Sequence, residues 1–208
     1  MTAGPISSIV GWLHARFDTL SHYHEVAEVG GIMRRYFVMN AFDGVLTTLG
    51  VLVGGYYGGV HQARVVISLI LTTAVSIGVA GFYGSYLVER AERGRAMREL
   101  EESTLSSLED TTIASASTYA TIVIALVDGI SPFLGALIAM TPFFFATLIG
   151  VHSAYLFSGV IAFVELFALG VFLGRISRER LIWSGVKLAL AGIVALALSL
   201  VLSSGVHH

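Results

Sequence analysis

The chain has 208 residues, of which 55% are hydrophobic and only 12% charged. A soluble domain carries about 25% charged residues, so half of that charge is missing, and the rest is gathered at a few places between long apolar runs. A net charge of −2 with no basic, aromatic-interleaved patch gives no footprint for nucleic acid, and the lack of cysteine excludes disulfides, thiolate catalysis and cysteine metal sites.

Residues 1–35 mix Trp12, Phe17 and Leu20 with Arg16, Asp18, His22, His24, Glu25 and Glu28. That is the pattern of amphipathic helices lying on a membrane surface. No continuous apolar core with a small-residue cleavage site marks a cleaved signal peptide there. Arg34 and Arg35 edge a first span from Tyr36 to Gly58, and a Gly-rich turn holding His61 and Arg64 leads to a second from Val65 to Val88. Each supplies the roughly 20 apolar residues that a membrane-crossing helix needs. The charged tract over 89–112 lacks proline and predicts a helix that carries the second span on into water. A Ser/Thr/Ala-rich approach enters a third span that reaches Phe145; a fourth runs from Ile149 to Leu173 and a fifth from Ile182 to Leu202.

The expected architecture is therefore an all-α integral membrane protein of five transmembrane helices. An interfacial segment over 1–35 precedes two spans over 36–88, a charged linker helix over 89–112 and three spans over 113–203. Arg34, Arg35, the linker arginines and Arg175, Arg178 and Arg180 fall on one side of this scheme, with only Arg64 on the other. The positive-inside rule then places the N-terminus and the linker in the cytoplasm.

One motif occurs twice. Asp43-Gly44 is followed by Leu49-Gly50, and Asp128-Gly129 by Leu134-Gly135, at a constant offset of 85 (128 − 43 and 135 − 50) that also carries Arg90 and Arg93 onto Arg175 and Arg178. The expectation is a duplicated helix pair in parallel orientation plus a fifth helix.

A carboxylate within hydrocarbon costs at least about 2.5–3.5 kcal/mol and faces a partner, a cavity or a substrate path. Asp43 lies eight residues inside Arg35, roughly 12 Å deep at the helical rise. Asp43, Thr47, Gly50, Gly54 and Gly58 form one small or polar stripe expected to permit close helix approach. Pro132 and Pro142 are expected to free backbone carbonyls in the third span. Oxygen ligands from Asp43 and Asp128 suit a divalent cation, with soft thioethers at Met39 and Met140. Glu165, ten residues inside Arg175, is a further metal ligand or proton carrier. The bland alternatives are a buried Asp capping or bridging to Thr47, methionines that only fill space, and a Glu165 that only bonds a neighbour. His22, His24, Glu25 and Glu28, and Glu92, Glu99 and Glu102 of the linker, are candidate cytoplasmic ligands set against plain solvated faces. No Ser/His pair or HExxH-type motif occurs in the spans, so no enzymatic activity is expected.

The stretch Arg35-Tyr-Phe-Val-Met-Asn40-Ala-Phe-Asp43-Gly44-Val-Leu-Thr-Thr resembles the first-span signature of the vacuolar iron transporter family. Gly135-Ala-Leu-Ile-Ala-Met-Thr-Pro142-Phe-Phe is similar to that family's third span, Gly84-Ser-Tyr-Leu87 with Glu89-Arg90 to the end of its second, and Ser184-Gly185-Val-Lys187 to the start of its last. The resemblance implies a five-span homodimer in membrane lipid. It would move Fe(II) or Mn(II) out of the cytoplasm in exchange for protons, past a first-span Asp that matches Asp43. It implies no tightly bound cofactor, only the transported metal, in the plasma membrane of a prokaryote or the vacuolar membrane of a eukaryote. Two departures stand out. The family's second-span Met and Glu are Gly81 and Ser85 here, and the linker is too short for its three-helix metal-binding domain. Asp128 and Glu165 are expected to replace the missing ligands. The rival readings are a carrier of another ion or small solute, and a non-transporting scaffold or regulator of the same fold.

Overall fold

The computed structural model describes residues 29–108 and 111–205. The N-terminal segment with His22, His24, Glu25 and Glu28 lies outside the described residues. The elements are α1 (Val29–Tyr57), α2 (Ala63–Thr104), α3 (Thr112–Ala139), a 3-10 turn (Thr141–Phe145), the single-turn α4 (Ala146–Ile149), α5 (Val151–Ser177) and α6 (Leu181–Gly205). Five of them, α1, α2, α3, α5 and α6, are long and apolar enough to cross a membrane. Helices suit that solvent because each satisfies its own backbone polar groups where no water can. Val164, Ile182 and Leu198 are 63%, 74% and 61% exposed, an apolar exterior that lipid rather than water covers.

Internal contacts divide the described residues into two units, 34–83 with 126–205 and 29–33 with 84–108 and 111–125. The larger unit has a core drawn from α1, α2, α3 and α5. Val38, Ala41, Val45, Leu49 and Leu52 form its α1 face, met by Val66, Ile70 and Ala74 of α2 and by Ala162 and Leu166 of α5. Lipid gives no hydrophobic drive between helices, so close backbone packing at small residues holds them together. A Cβ on Gly44 would sit 2.1 Å from the Pro132 carbonyl oxygen, and one on Gly135 would sit 2.7 Å from that of Ala41, so α1 and α3 meet backbone to backbone. Gly78 of α2 and Gly129 of α3 make a second crossing, and Gly170 and Gly185 bring α5 against α6.

The third span stops earlier than its apolar run suggests. Hydrophobicity continues to Phe145, but Pro142 cannot donate a helical hydrogen bond, and α3 ends at Ala139 with a tight turn following. The buried Ser158 of α5 donates its hydroxyl to the Ala139 carbonyl, supplying a partner at this helix end. Gly150 then takes φ +82°, a left-handed value that glycine tolerates, before α5 begins.

In the smaller unit α2 runs unbroken past Val88 as far as Thr104. The i,i+4 pairs Arg93–Glu89 at 3.0 Å and Arg95–Glu99 at 2.8 Å support this charged extension. The Glu101 carboxylate accepts the Leu108 N–H at 2.8 Å. The Thr111 hydroxyl accepts the Ala114 N–H at 3.3 Å, an N-cap for α3. Ala116, Ala120 and Ile124 are buried at four-residue spacing along the first part of α3.

Candidate functional site

Asp43 is the central residue of α1, 14 residues from each end (43 − 29 and 57 − 43), and it is exposed on the protomer surface. Met39, one turn earlier, is 58% exposed, and Thr47, one turn later, is half-buried. Along the same stripe, Gly54 has nothing within 4 Å, and Gly50 has only the Ser199 hydroxyl, at 4.0 Å. The stripe therefore does not mediate close approach within the chain, contrary to the expectation from sequence. Close approach uses the adjacent Gly44 instead, about 100° around the helix. Glycine faces inward and aspartate outward.

The second Asp-Gly pair is oriented differently. Asp128 is only 6% exposed, and it lies against α2 at Gly81, whose Cβ would be 3.3 Å from the Asp128 carbonyl oxygen and 3.5 Å from Oδ2. Pro132, four residues on, has no N–H to give the Asp128 carbonyl. Gly81 is thus where α2 packs closely against Asp128. Glu165 is half-buried on α5, on the face shared with Ser158, Ala162 and Leu169, all buried. Its Oε2 is buried with no hydrogen-bond partner among the described residues.

The remaining candidates do not converge. Met140 is fully buried in the core while Met39 faces outward, so the two thioethers do not share a site in one protomer. Glu92, Glu99 and Glu102 are exposed on the extension of α2, and Glu99 is held by Arg95. Among the described residues no group of three or more His, Asp or Glu side chains is placed to hold a metal. Between α5 and α6, the Lys187 ammonium donates to Glu179 at 3.1 Å and holds that carboxyl below the usual glutamate range, with Ser184 also donating at 3.2 Å.

A polar cluster that sequence reasoning did not anticipate lies where α1 meets α5. The Tyr56 hydroxyl is 3.3 Å from His152 Nδ1, and the Tyr155 hydroxyl donates to the Val60 carbonyl at 3.0 Å. These rings border a cavity of about 530 Å3 that is otherwise apolar. Tyr56 and His152 are 96 positions apart, with no local pattern to link them.

Five apolar helices with carboxylates at mid-span define an integral multi-pass membrane protein. Over 167 residues, 79% of this chain and 84% of the relative, the sequence is 34% identical to an uncharacterized protein of Methanocaldococcus jannaschii. The chain belongs to the same family as that archaeal protein. No family model matches it, and no solved structure matches it.

Proposed function

We propose that the protein is a divalent metal transporter of the vacuolar iron transporter type, exporting Fe(II) or Mn(II) from the cytoplasm by proton exchange as a homodimer. The observation that carries this reading is the outward face of α1, where Asp43 sits at mid-helix with Met39 exposed beside it. A carboxylate facing lipid at that depth is costly, and a second copy covering the stripe relieves it. Two-fold pairing of this face brings two carboxylates and two thioethers into one site, which suits borderline metals. That arrangement needs no three-ligand cluster within a protomer.

Protons and metal compete for the same carboxylate oxygens, so metal arriving at Asp43 displaces a proton and a returning proton releases metal. Asp128, packed against Gly81, and the half-buried Glu165 serve as the inner relay in place of the second-span Met and Glu. Both Asp-Gly pairs set their glycine at a helix crossing, which supports descent from a duplicated helix pair. The arginine distribution supports a cytoplasmic side for the N-terminus and the α2 extension, and the same reading takes the protein to the plasma membrane of a prokaryote.

The test is reconstitution in liposomes carrying a pH-sensitive dye. Fe(II) or Mn(II) is expected to drive proton movement that Asp43→Ala abolishes while the variant still folds and dimerises. Absence of metal-driven flux from the wild type would favour a scaffold. Undiminished flux in the variant would make Asp43 structural.

A further inference from the structure

A cleft of about 510 Å3 opens in the smaller unit, between the later turns of α2 and the first turns of α3. Arg90, Arg93 and Arg98 line its α2 wall; Ser117, Thr118 and Thr121 line its α3 wall. Among the described residues no carboxylate lines it. Arg93 is engaged by Glu89 at 3.0 Å. Neither Arg90 nor Arg98 forms an ion pair among the described residues. Arg90 makes a long 3.4 Å contact to the Tyr86 hydroxyl, with its guanidinium carbon 6.0 Å from that ring's centre. Thr118 and Thr121 donate to the Ala114 and Ser117 carbonyls at 3.1 Å each, whereas the Ser117 hydroxyl makes no hydrogen bond among the described residues. Two guanidinium forks with no ion pair, and a hydroxyl with no hydrogen bond, among the described residues thus border one cavity. Guanidinium forks match oxyanions of phosphate geometry, two oxygens at a time.

The depth of the cleft narrows the source of that anion. Leu87 and Val88, in the turn before Arg90, are 62% and 53% exposed, and Ile122 of the cleft wall is 44% exposed. This apolar surface belongs among lipid tails, while the sequence from Glu89 to Glu102 belongs in water. The cleft spans that change, at the level where lipid phosphates lie. We propose that it binds a phosphate group, supplied at this depth by the headgroup of an anionic lipid. The site is separate from the metal path and does not depend on it. If the arginines acted only as a positive anchor for the helix end, their charge would matter but the shape of the cleft would not.

The test uses the full-length protein in nanodiscs of phosphatidylcholine alone or of phosphatidylcholine and phosphatidylglycerol in equal parts, read by thermal unfolding and by native mass spectrometry of retained lipid. Phosphatidylglycerol is expected to raise the unfolding temperature and to remain bound. Arg90→Gln with Arg98→Gln is expected to lower retention roughly tenfold, the order expected for losing charge-assisted hydrogen bonds. Arg95→Gln with Arg175→Gln removes the same charge outside the cleft and is expected to leave phosphatidylglycerol retention unchanged. Should the first double variant fail to fold, Thr118→Phe fills the cleft at an exposed position without changing charge, and it is expected to reduce retention similarly. Inorganic phosphate added to the phosphatidylcholine discs separates the sources: stabilisation there that requires Arg90 and Arg98 assigns the site to a soluble phosphate. Equal retention in the cleft and control variants, or equal retention of phosphatidylcholine and phosphatidylglycerol, would overturn the proposal.

Discussion

Replacing Gly44 with alanine puts a methyl group where the structure has backbone. The added Cβ would lie 2.1 Å from the Pro132 carbonyl oxygen and 2.6 Å from its Cα. Ordinary contact begins at 3.4 Å, so α1 and α3 would have to separate by 1.3 Å (3.4 − 2.1). No flexible side chain is available to yield. Overpacking costs about 1–3 kcal/mol, and a clash of backbone on backbone belongs at the top of that range. Alanine recovers about 1 kcal/mol of helix propensity over glycine, leaving a net loss of about 2 kcal/mol, roughly a 30-fold shift of the folding equilibrium. Gly54→Ala is the matched control, since its Cβ meets nothing within 4 Å. It is expected to be neutral or slightly stabilising through the same propensity gain. Gly78→Ala, at 2.4 Å from the Gly129 carbonyl oxygen, and Gly135→Ala, at 2.7 Å from that of Ala41, should fall between in that order. Reversible unfolding in mixed SDS and non-ionic micelles, followed by far-ultraviolet circular dichroism, measures the series. If Gly44→Ala unfolds at the same SDS fraction as Gly54→Ala, the close crossing of α1 and α3 is wrong.

Other perturbations test individual contacts. Ser158→Ala removes the donor to the Ala139 carbonyl where Pro142 has ended the helix, and leaving a buried carbonyl short of its partner is expected to cost about 1–3 kcal/mol in the same unfolding assay. Glu165→Met removes a buried oxygen that has no partner among the described residues, and it is expected to stabilise the fold by about 1 kcal/mol while abolishing metal-driven flux. Stability and flux falling together would mean that Glu165 is structural. Glu179 is held below its ordinary value of 4.5 by Lys187, so its stabilising effect is present above that value and lost as pH falls through the lower folded value. Both side chains are about half exposed, and solvent screens such pairs. The wild type should therefore melt at most slightly above Glu179→Gln near neutral pH, and that small difference should vanish in acid.

Much of the architecture was legible because lipid imposes it. Runs of about 20 apolar residues between arginine clusters can only be spans, and α1, α2, α5 and α6 overlap the segments expected for them. The length of α2 was legible for a different reason: Glu89 to Glu102 has charges at four-residue spacing and no proline to interrupt it. Apolarity says nothing about hydrogen bonding, which is why an apolar run continues to Phe145 although Pro142 ends the helix. Faces were harder still. A stripe of small residues looks the same whether another helix of the same chain covers it or not, and only the packed structure shows that Gly44 is covered and Gly54 is not. The Tyr56–His152 contact and the arginine cleft join residues from distant parts of the chain, so no local spacing could have revealed them.

The two Asp-Gly pairs show how one local pattern can yield different environments. Consecutive residues on a helix are about 100° apart, so an Asp-Gly pair can turn one member inward and the other away, or turn both toward the same neighbour. In α1 the first arrangement holds: Gly44 meets Pro132 and leaves Asp43 on the exterior. In α3 the second holds: Gly129 meets Gly78 and Asp128 lies against Gly81, so both members face α2. Gly81 suits that second arrangement, because a Cβ there would lie 3.3 Å from the Asp128 carbonyl oxygen and 3.5 Å from Oδ2 and would press on that residue. The outer aspartate is exposed on the protomer surface, and the inner one is buried within the protomer.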